Sequence, residues 1–94
     1  MPLIARKSGS GDNAEINHAP GTVETNQGSD DVFVVGHGVH RDGDNNKVHT
    51  LHQTNISSSS SVFANDKPVA RLNDSYSCGA TITTITQSTV FANE

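Results

Sequence analysis

Val32-Phe33-Val34-Val35-Gly36-His37-Gly38-Val39-His40-Arg41-Asp42-Gly43-Asp44 is echoed thirty residues later as Val62-Phe63-Ala64-Asn65-Asp66-Lys67-Pro68-Val69-Ala70-Arg71-Leu72-Asn73-Asp74. Val, Phe, Val, Arg and Asp recur at one offset, so one small unit has been used twice. A truncated third copy closes the chain as Val90-Phe91-Ala92-Asn93-Glu94. Each full copy reads as a short β-hairpin: a Val-Phe strand, a turn of Gly, Asn, Asp or Pro, and a returning Val-x-Arg strand. A Gly-Asp or Asn-Asp turn follows each hairpin. The fold class this predicts is all-β, with repeat units of approximately 3–31, 32–61 and 62–94 within a single domain.

Working outward, Leu3-Ile4-Ala5-Arg6 resembles the returning strand, because Ala5-Arg6 lies over Ala70-Arg71. Lys7-Ser8-Gly9-Ser10 is then an insertion before Gly11-Asp12, the counterpart of Gly43-Asp44. His18-Ala19-Pro20-Gly21 carries a tight-turn signal, and Thr22 to Thr25 alternates like a short strand. Ser57 to Ser61 has the composition of a linker. It fills the slot before Val62-Phe63 that Asn26 to Asp31 fills before Val32-Phe33, so repeat register makes it an ordered approach to a strand. Ala80 to Thr86 is β-branched and poor in helix formers, which predicts a strand.

The chain has 94 residues, 32% apolar, with no Trp, one Tyr and three Phe. A core drawn from so few large side chains is small, and domains below about 70–80 residues generally need a staple. A single cysteine excludes an internal disulfide, which leaves a metal or a partner as the staple. A net charge of −4 with six Lys and Arg predicts no nucleic-acid partner. No apolar run approaches the roughly 20 residues of a membrane span, and Met1 to Lys7 has no apolar stretch with a cleavage site, so export would not use a classical signal peptide. No phosphate loop, metallopeptidase motif or nucleophile elbow is present, and the chain is expected not to be an enzyme.

Aligned by their aspartates, the units offer one candidate metal ligand each: Asp12 then His18, Asp44 then His49 with His52 behind it, Asp74 then Cys78. Singly, these read as solvated loop histidines and a small buried cysteine. In register, three loops meeting at one end would bring three imidazoles and a thiolate to a point, a tetrahedral set suited to one zinc ion. A soft thiolate and the absence of clustered carboxylates disfavour magnesium and calcium. Four protein ligands close the shell, so the expected site is structural, and Cys78→Ser is expected to cost more stability than His40→Ala. A zinc hydrolase would need an open position and a base, for which Glu15 and Asp74 are the candidates. His37 and His40 align with Lys67 and Ala70 and are expected at the surface or an interface, with His40 a reserve ligand. Arg41 and Arg71 are expected to bond turn carbonyls or to pair with the following Asp.

The combination Lys67-Pro68-Val69-Ala70-Arg71, Cys78-Gly79, the earlier Val39-x-Arg41-x-Gly43-Asp44 and the closing Val90-Phe91-x-Asn93 resembles the PAAR-repeat proteins that cap contractile injection machines. The resemblance spans residues 3–94. It implies a small cone of short β-hairpins in three pseudo-threefold repeats, with zinc near the apex held by His18, His49, His52 and Cys78. It further implies a structural spike tip that caps and sharpens a trimeric β-helical spike, either a phage central spike or a VgrG-like protein, one copy per trimer, and touches the target membrane transiently. The location would be the tail spike tip of a phage virion, or the bacterial cytoplasm followed by secretion through a type VI apparatus. Candidate spike contacts are Val32, Phe33, Val62, Phe63, Val90 and Phe91. At 94 residues the chain reads as a bare tip without an appended toxin. The alternative is a zinc-stabilised adaptor or binding module with no spike partner.

Overall fold

The computed structural model describes residues 2–7, 9–15, 22–47, 56–57 and 61–92. Among these the fold is all-β, with short strands β1 (Asn13–Glu15), β2 (Thr22–Glu24), β3 (Phe33–Val34), β4 (His37–Gly38), β5 (Ile56–Ser57), β6 (Phe63–Ala64), β7 (Lys67–Pro68), β8 (Ser75–Tyr76) and β9 (Thr81–Thr84). The β-branched run thus forms the longest strand, as expected. Of the serine run, Ser57 belongs to β5, Ser61 is a bend, and residues 58–60 lie outside the described residues.

Both predicted hairpins form. Phe33 pairs with Gly38 and Val34 with His37; thirty residues on, Phe63 pairs with Pro68 and Ala64 with Lys67. Val35 and Asn65 open their turns with φ of 47° and 54°, the left-handed geometry that matches the twist of a two-residue hairpin. Behind each turn one backbone bond closes the hairpin: Val39 N–H to Val32 O (3.0 Å) and Val69 N–H to Val62 O (2.9 Å). The same bond recurs as Ile4 N–H to Val90 O (3.1 Å), and Leu3 bridges Phe91 as Gly38 bridges Phe33. The two ends of the chain are therefore two halves of a third hairpin, joined without a covalent turn. Buried Gln87 clasps them, its amide nitrogen donating to Ile4 O and Val90 O while its oxygen accepts from the Thr89 and Val90 amides.

The three returning segments, 3–7, 38–42 and 68–72, pair with one another in a ring. Ala5 N–H donates to Ala70 O (2.9 Å), Ala70 N–H to His40 O (2.7 Å) and His40 N–H to Ala5 O (3.0 Å), so the cycle closes on itself. Bridges Ile4 to Arg71, Arg6 to Val39 and Arg41 to Val69 repeat the pattern one step out. Alternation along these segments sends neighbouring side chains to opposite faces of the ring. Ile4, Val39 and Val69 form one core with Val34, Ala64 and Ala92 of the hairpins, flanked by Val62 and Val90. Ala5 and Ala70 enter a second core with Ala14, Val23, Ile56, Tyr76, Ala80 and Ile82.

That second core is wrapped by a five-stranded antiparallel sheet in the order β2-β1-β9-β8-β5. The segment 43–47 reaches both of its edges. Thr25 bridges Asn46 and Lys47 N–H donates to Glu24 O at the β2 edge; Ile56 N–H donates to Asp44 O, and Gly43 N–H to Ile56 O, at the β5 edge. Hairpins and sheet consequently lie on opposite faces of the hydrogen-bonded ring. Ile56 and Ile82, each 1% exposed or less, are the largest fully buried side chains among the described residues, and truncating either to Ala would cost about 2–5 kcal/mol.

Candidate functional site

Each returning segment ends in the same arginine–aspartate fork. Arg41 N–H (2.8 Å) and Nε (2.9 Å) donate to Asp44 Oδ2 while Nη2 donates to Oδ1 (3.2 Å); Arg71 repeats this on Asp74 at 2.8, 3.2 and 3.1 Å. Arg6 does the same to Asp12 at 2.9, 3.1 and 3.1 Å, although the two are six residues apart instead of three. The insertion is looped out and the fork preserved. The residue before each Asp has positive φ, at Gly11 (91°), Gly43 (89°) and Asn73 (75°), which explains how Asn replaces Gly there: it is the side chain that best tolerates this conformation. Of the two options for these arginines, pairing with the Asp is the one adopted, and the pairs are largely buried rather than on the surface.

The fork arginines also tie units together, Arg6 Nη1 donating to Val35 O (3.1 Å) and Arg41 Nη1 to Asn65 Oδ1 (3.0 Å) in a neighbouring hairpin. Asp12 accepts further bonds from Thr86 N–H (2.7 Å) and Oγ (3.0 Å). Burial alone would raise its pKa, but Arg6 and Thr86 outweigh burial and hold it below the usual value. These carboxylates are engaged in holding turns, Asp74 among them, and Glu15 is exposed on β1. Among the described residues no three His, Cys, Asp or Glu side chains gather as a metal-dependent centre would require.

His40 corrects the expectation of a surface residue and reserve ligand. It is fully buried at the ring, where its counterparts are Ala5 and Ala70. Nδ1 contacts Gln27 O, and Nε2 lies 2.8 Å from Tyr76 Oη. Gln27 O can only accept, so Nδ1 carries the proton and Nε2 accepts from the Tyr76 hydroxyl. Both nitrogens are thereby occupied. Burial lowers the His40 pKa and raises that of Tyr76. The missed signal was in the alignment: a position filled by Ala in both other units is an interior position.

On the hairpin face, Phe33, Phe63 and Phe91 occupy matching positions and are 58%, 59% and 45% exposed. Val32 and Val35 are exposed beside them. The interior positions are the residues after each Phe, Val34, Ala64 and Ala92, while Val62 and Val90 are half-buried. Of the expected ligands, Cys78 is half-buried in the turn between β8 and β9. His18, His49 and His52 lie outside the described residues, in the connections β1 to β2 and 47 to β5.

Three matched hairpins, a returning segment with an arginine after each ring position (Ala5-Arg6, His40-Arg41, Ala70-Arg71) and a fork beneath each one agree with the sequence pattern described as the PAAR motif, which matches residues 13–84. The chain belongs to the PAAR-motif family. No curated protein matches it. In this PAAR chain the Pro68-Val69-Ala70-Arg71 stretch has a physical role at each position. Pro68 pairs with Phe63 and offers its carbonyl to Asp42, Val69 fills the hairpin core, Ala70 completes the ring, and Arg71 makes the fork.

Proposed function

We propose that this PAAR chain is the tip of a spike: one copy caps a trimeric β-helical protein through its hairpin face and leads it through a target envelope. The observation that carries the reading is the closed ring Ala5–Ala70–His40, which lets a single chain present Phe33, Phe63 and Phe91 in three equivalent settings. A trimer end offers three identical surfaces, and three matched apolar side chains from one chain answer them without a symmetry mismatch. Isolated exposed aromatics are ordinary, but three at register positions form a patch of the kind that marks an interface. The three units form a cone about the ring. The setting is a phage tail or a type VI secretion apparatus, and contact with the target membrane is brief.

The proposed staple at the other end is one zinc ion held by His18, His49, His52 and Cys78. Three imidazoles and a thiolate fit zinc in number and softness, and Cys78 lies in the sheet turn whose equivalents connect β1 to β2 and residue 47 to β5. When bound, zinc supplies a closed four-way cross-link and no reactive water. The chain's own residues supply the rest of the site: β1 and β2, β8 and β9, and the segment 43–47 with β5 flank the ligand-bearing connections.

The test is the triple variant Phe33→Ser, Phe63→Ser, Phe91→Ser, mixed with the cognate trimeric spike. These side chains are exposed, so the fold is expected to persist by circular dichroism while co-elution with the spike is lost. Undiminished co-elution of the variant, or none by the wild type, would refute the docking face.

A further inference from the structure

Phe33, Phe63 and Phe91 stand in matching backbone settings, but their flanks differ. Of the five large apolar side chains exposed among the described residues, three lie within residues 32–35: Val32 (37%), Phe33 (58%) and Val35 (55%). Val62 and Val90, the counterparts of Val32, are half-buried. The counterpart of Val35 is Asn65, followed by Asp66 and Lys67, both exposed and charged. Hairpin β3–β4 therefore ends in an apolar corner where β6–β7 ends in a polar one.

Nothing within the free chain calls for that corner. Val35 sits at φ 47°, a left-handed geometry that a β-branched residue adopts only with strain, and its side chain is in water. Asn65 holds the matching geometry (54°) without that conflict, and its amide accepts from Arg41 Nη1 (3.0 Å) and donates to Asp31 Oδ1 (2.8 Å). Arg6 Nη1 bonds the Val35 carbonyl (3.1 Å), a backbone atom that any residue would offer there. Asparagine would serve both the turn and this bond. What valine adds is an apolar side chain at the tip of the hairpin that carries Phe33 and the exposed Val32.

Resting on the spike-tip reading above, we infer that Val32, Phe33 and Val35 are the anchor of the docking face, seated in an apolar pocket at the end of one chain of the trimeric spike, with hairpin β6–β7 at the polar rim of the same interface. Binding energy concentrates in packed clusters that exclude water, and an aromatic with charged neighbours forms a poorer one. The trimer offers three copies of the pocket and one takes the anchor, so the three units of the cap contribute unequally. Strain at Val35 is carried by the free chain for the sake of that contact.

The experiment titrates the full chain against the cognate trimeric spike by calorimetry, with urea unfolding of each variant alone. Val35→Asn is expected to raise the urea midpoint yet to weaken spike binding about 5- to 10-fold, which corresponds to burying about half of a valine side chain. Val35→Ile keeps both the strain and the apolar character and should bind as wild type does. Phe33→Ser should weaken binding about 5-fold more than Phe63→Ser, although the two side chains are exposed alike in the free chain. Wild-type affinity in Val35→Asn, or equal losses from Phe33→Ser and Phe63→Ser, overturns the anchor and leaves the spike-tip reading standing. If Val35→Asn does not fold, the two serine variants decide. A chain that self-associates without spike, and whose Val35→Asn variant is monomeric, assigns the corner to a second copy and overturns the anchor. A wild type that does not bind the spike overturns both.

Discussion

Replacing Asp12 by Asn tests whether the forks hold this small fold together. The Asp12 carboxylate receives the Arg6 amide, Nε and Nη2, and the Thr86 amide and hydroxyl. An asparagine retains one acceptor and turns an NH2 toward donors at the other, leaving the Arg6 guanidinium buried without a counter-charge. The side chains of Arg6 and Asp12 are 4% and 0% exposed, so water cannot compensate. Removing one partner of such a pair costs about 3–5 kcal/mol. A domain of this size has roughly 5–14 kcal/mol in total, and the melting temperature should fall by the order of 15–30 °C. Asp74→Asn, in a fork exposed 9% and 11%, should cost less, about 1–2 kcal/mol, with Asp44→Asn between them. The sign with pH follows from the lowered Asp12 pKa. Its contribution is complete above the ordinary value of 3.8 and disappears as pH falls through the lower folded value, so the gap between wild type and Asp12→Asn should narrow only at pH below that ordinary value. Urea and thermal unfolding followed by far-ultraviolet circular dichroism measure each quantity. An Asp12→Asn cost no greater than that of Asp74→Asn would refute the claim that burial grades the forks.

His40→Ala removes a buried ring and leaves Gln27 O and the Tyr76 hydroxyl unanswered; with a chelator present, so that no metal contributes, it should cost about 3 kcal/mol, against less than about 1 kcal/mol for half-buried Cys78→Ser, and equal costs would contradict this. Because the His40 pKa is lowered, the unfolded chain takes up a proton below its ordinary value of 6.5 that the folded chain refuses. Wild type should therefore lose up to about 1.4 kcal/mol per pH unit below that point relative to His40→Gln, and parallel stability–pH curves would contradict this. Val35 holds a β-branched side chain at φ 47° where the matching residue is Asn65, so Val35→Asn should stabilise by about 1 kcal/mol, and a lowered midpoint in urea would count against the strain.

Local features were legible because they are written locally. Paired Val-Phe and Val-x-Arg segments gave the hairpins, the β-branched run gave β9, and pairing of Arg41 with Asp44 and of Arg71 with Asp74 was one of the two options open to those arginines. Pairings between distant segments were harder. Leu3 to Arg6 was recognisable as a returning strand and Val90-Phe91 as an outgoing one, yet nothing nearby says that they complete a single hairpin, since the closing bonds span the whole chain. His40 was misread because imidazole is usually solvated, although Ala5 and Ala70 at the same register marked the position as interior. The fork of Arg6 and Asp12 shows the limit of fixed spacing: three extra residues lie between them, and the contact is made regardless. Asn46 carries no sequence signal of its burial beyond its alignment with Ala14 and Tyr76.

The most direct test of one cap on three chains is the native mass of the complex formed with the cognate trimeric spike. The ring of Ala5, His40 and Ala70, presenting three matched phenylalanines from one polypeptide, predicts one copy of this chain per spike trimer even when the chain is in excess. Three copies per trimer, or no complex, would contradict it.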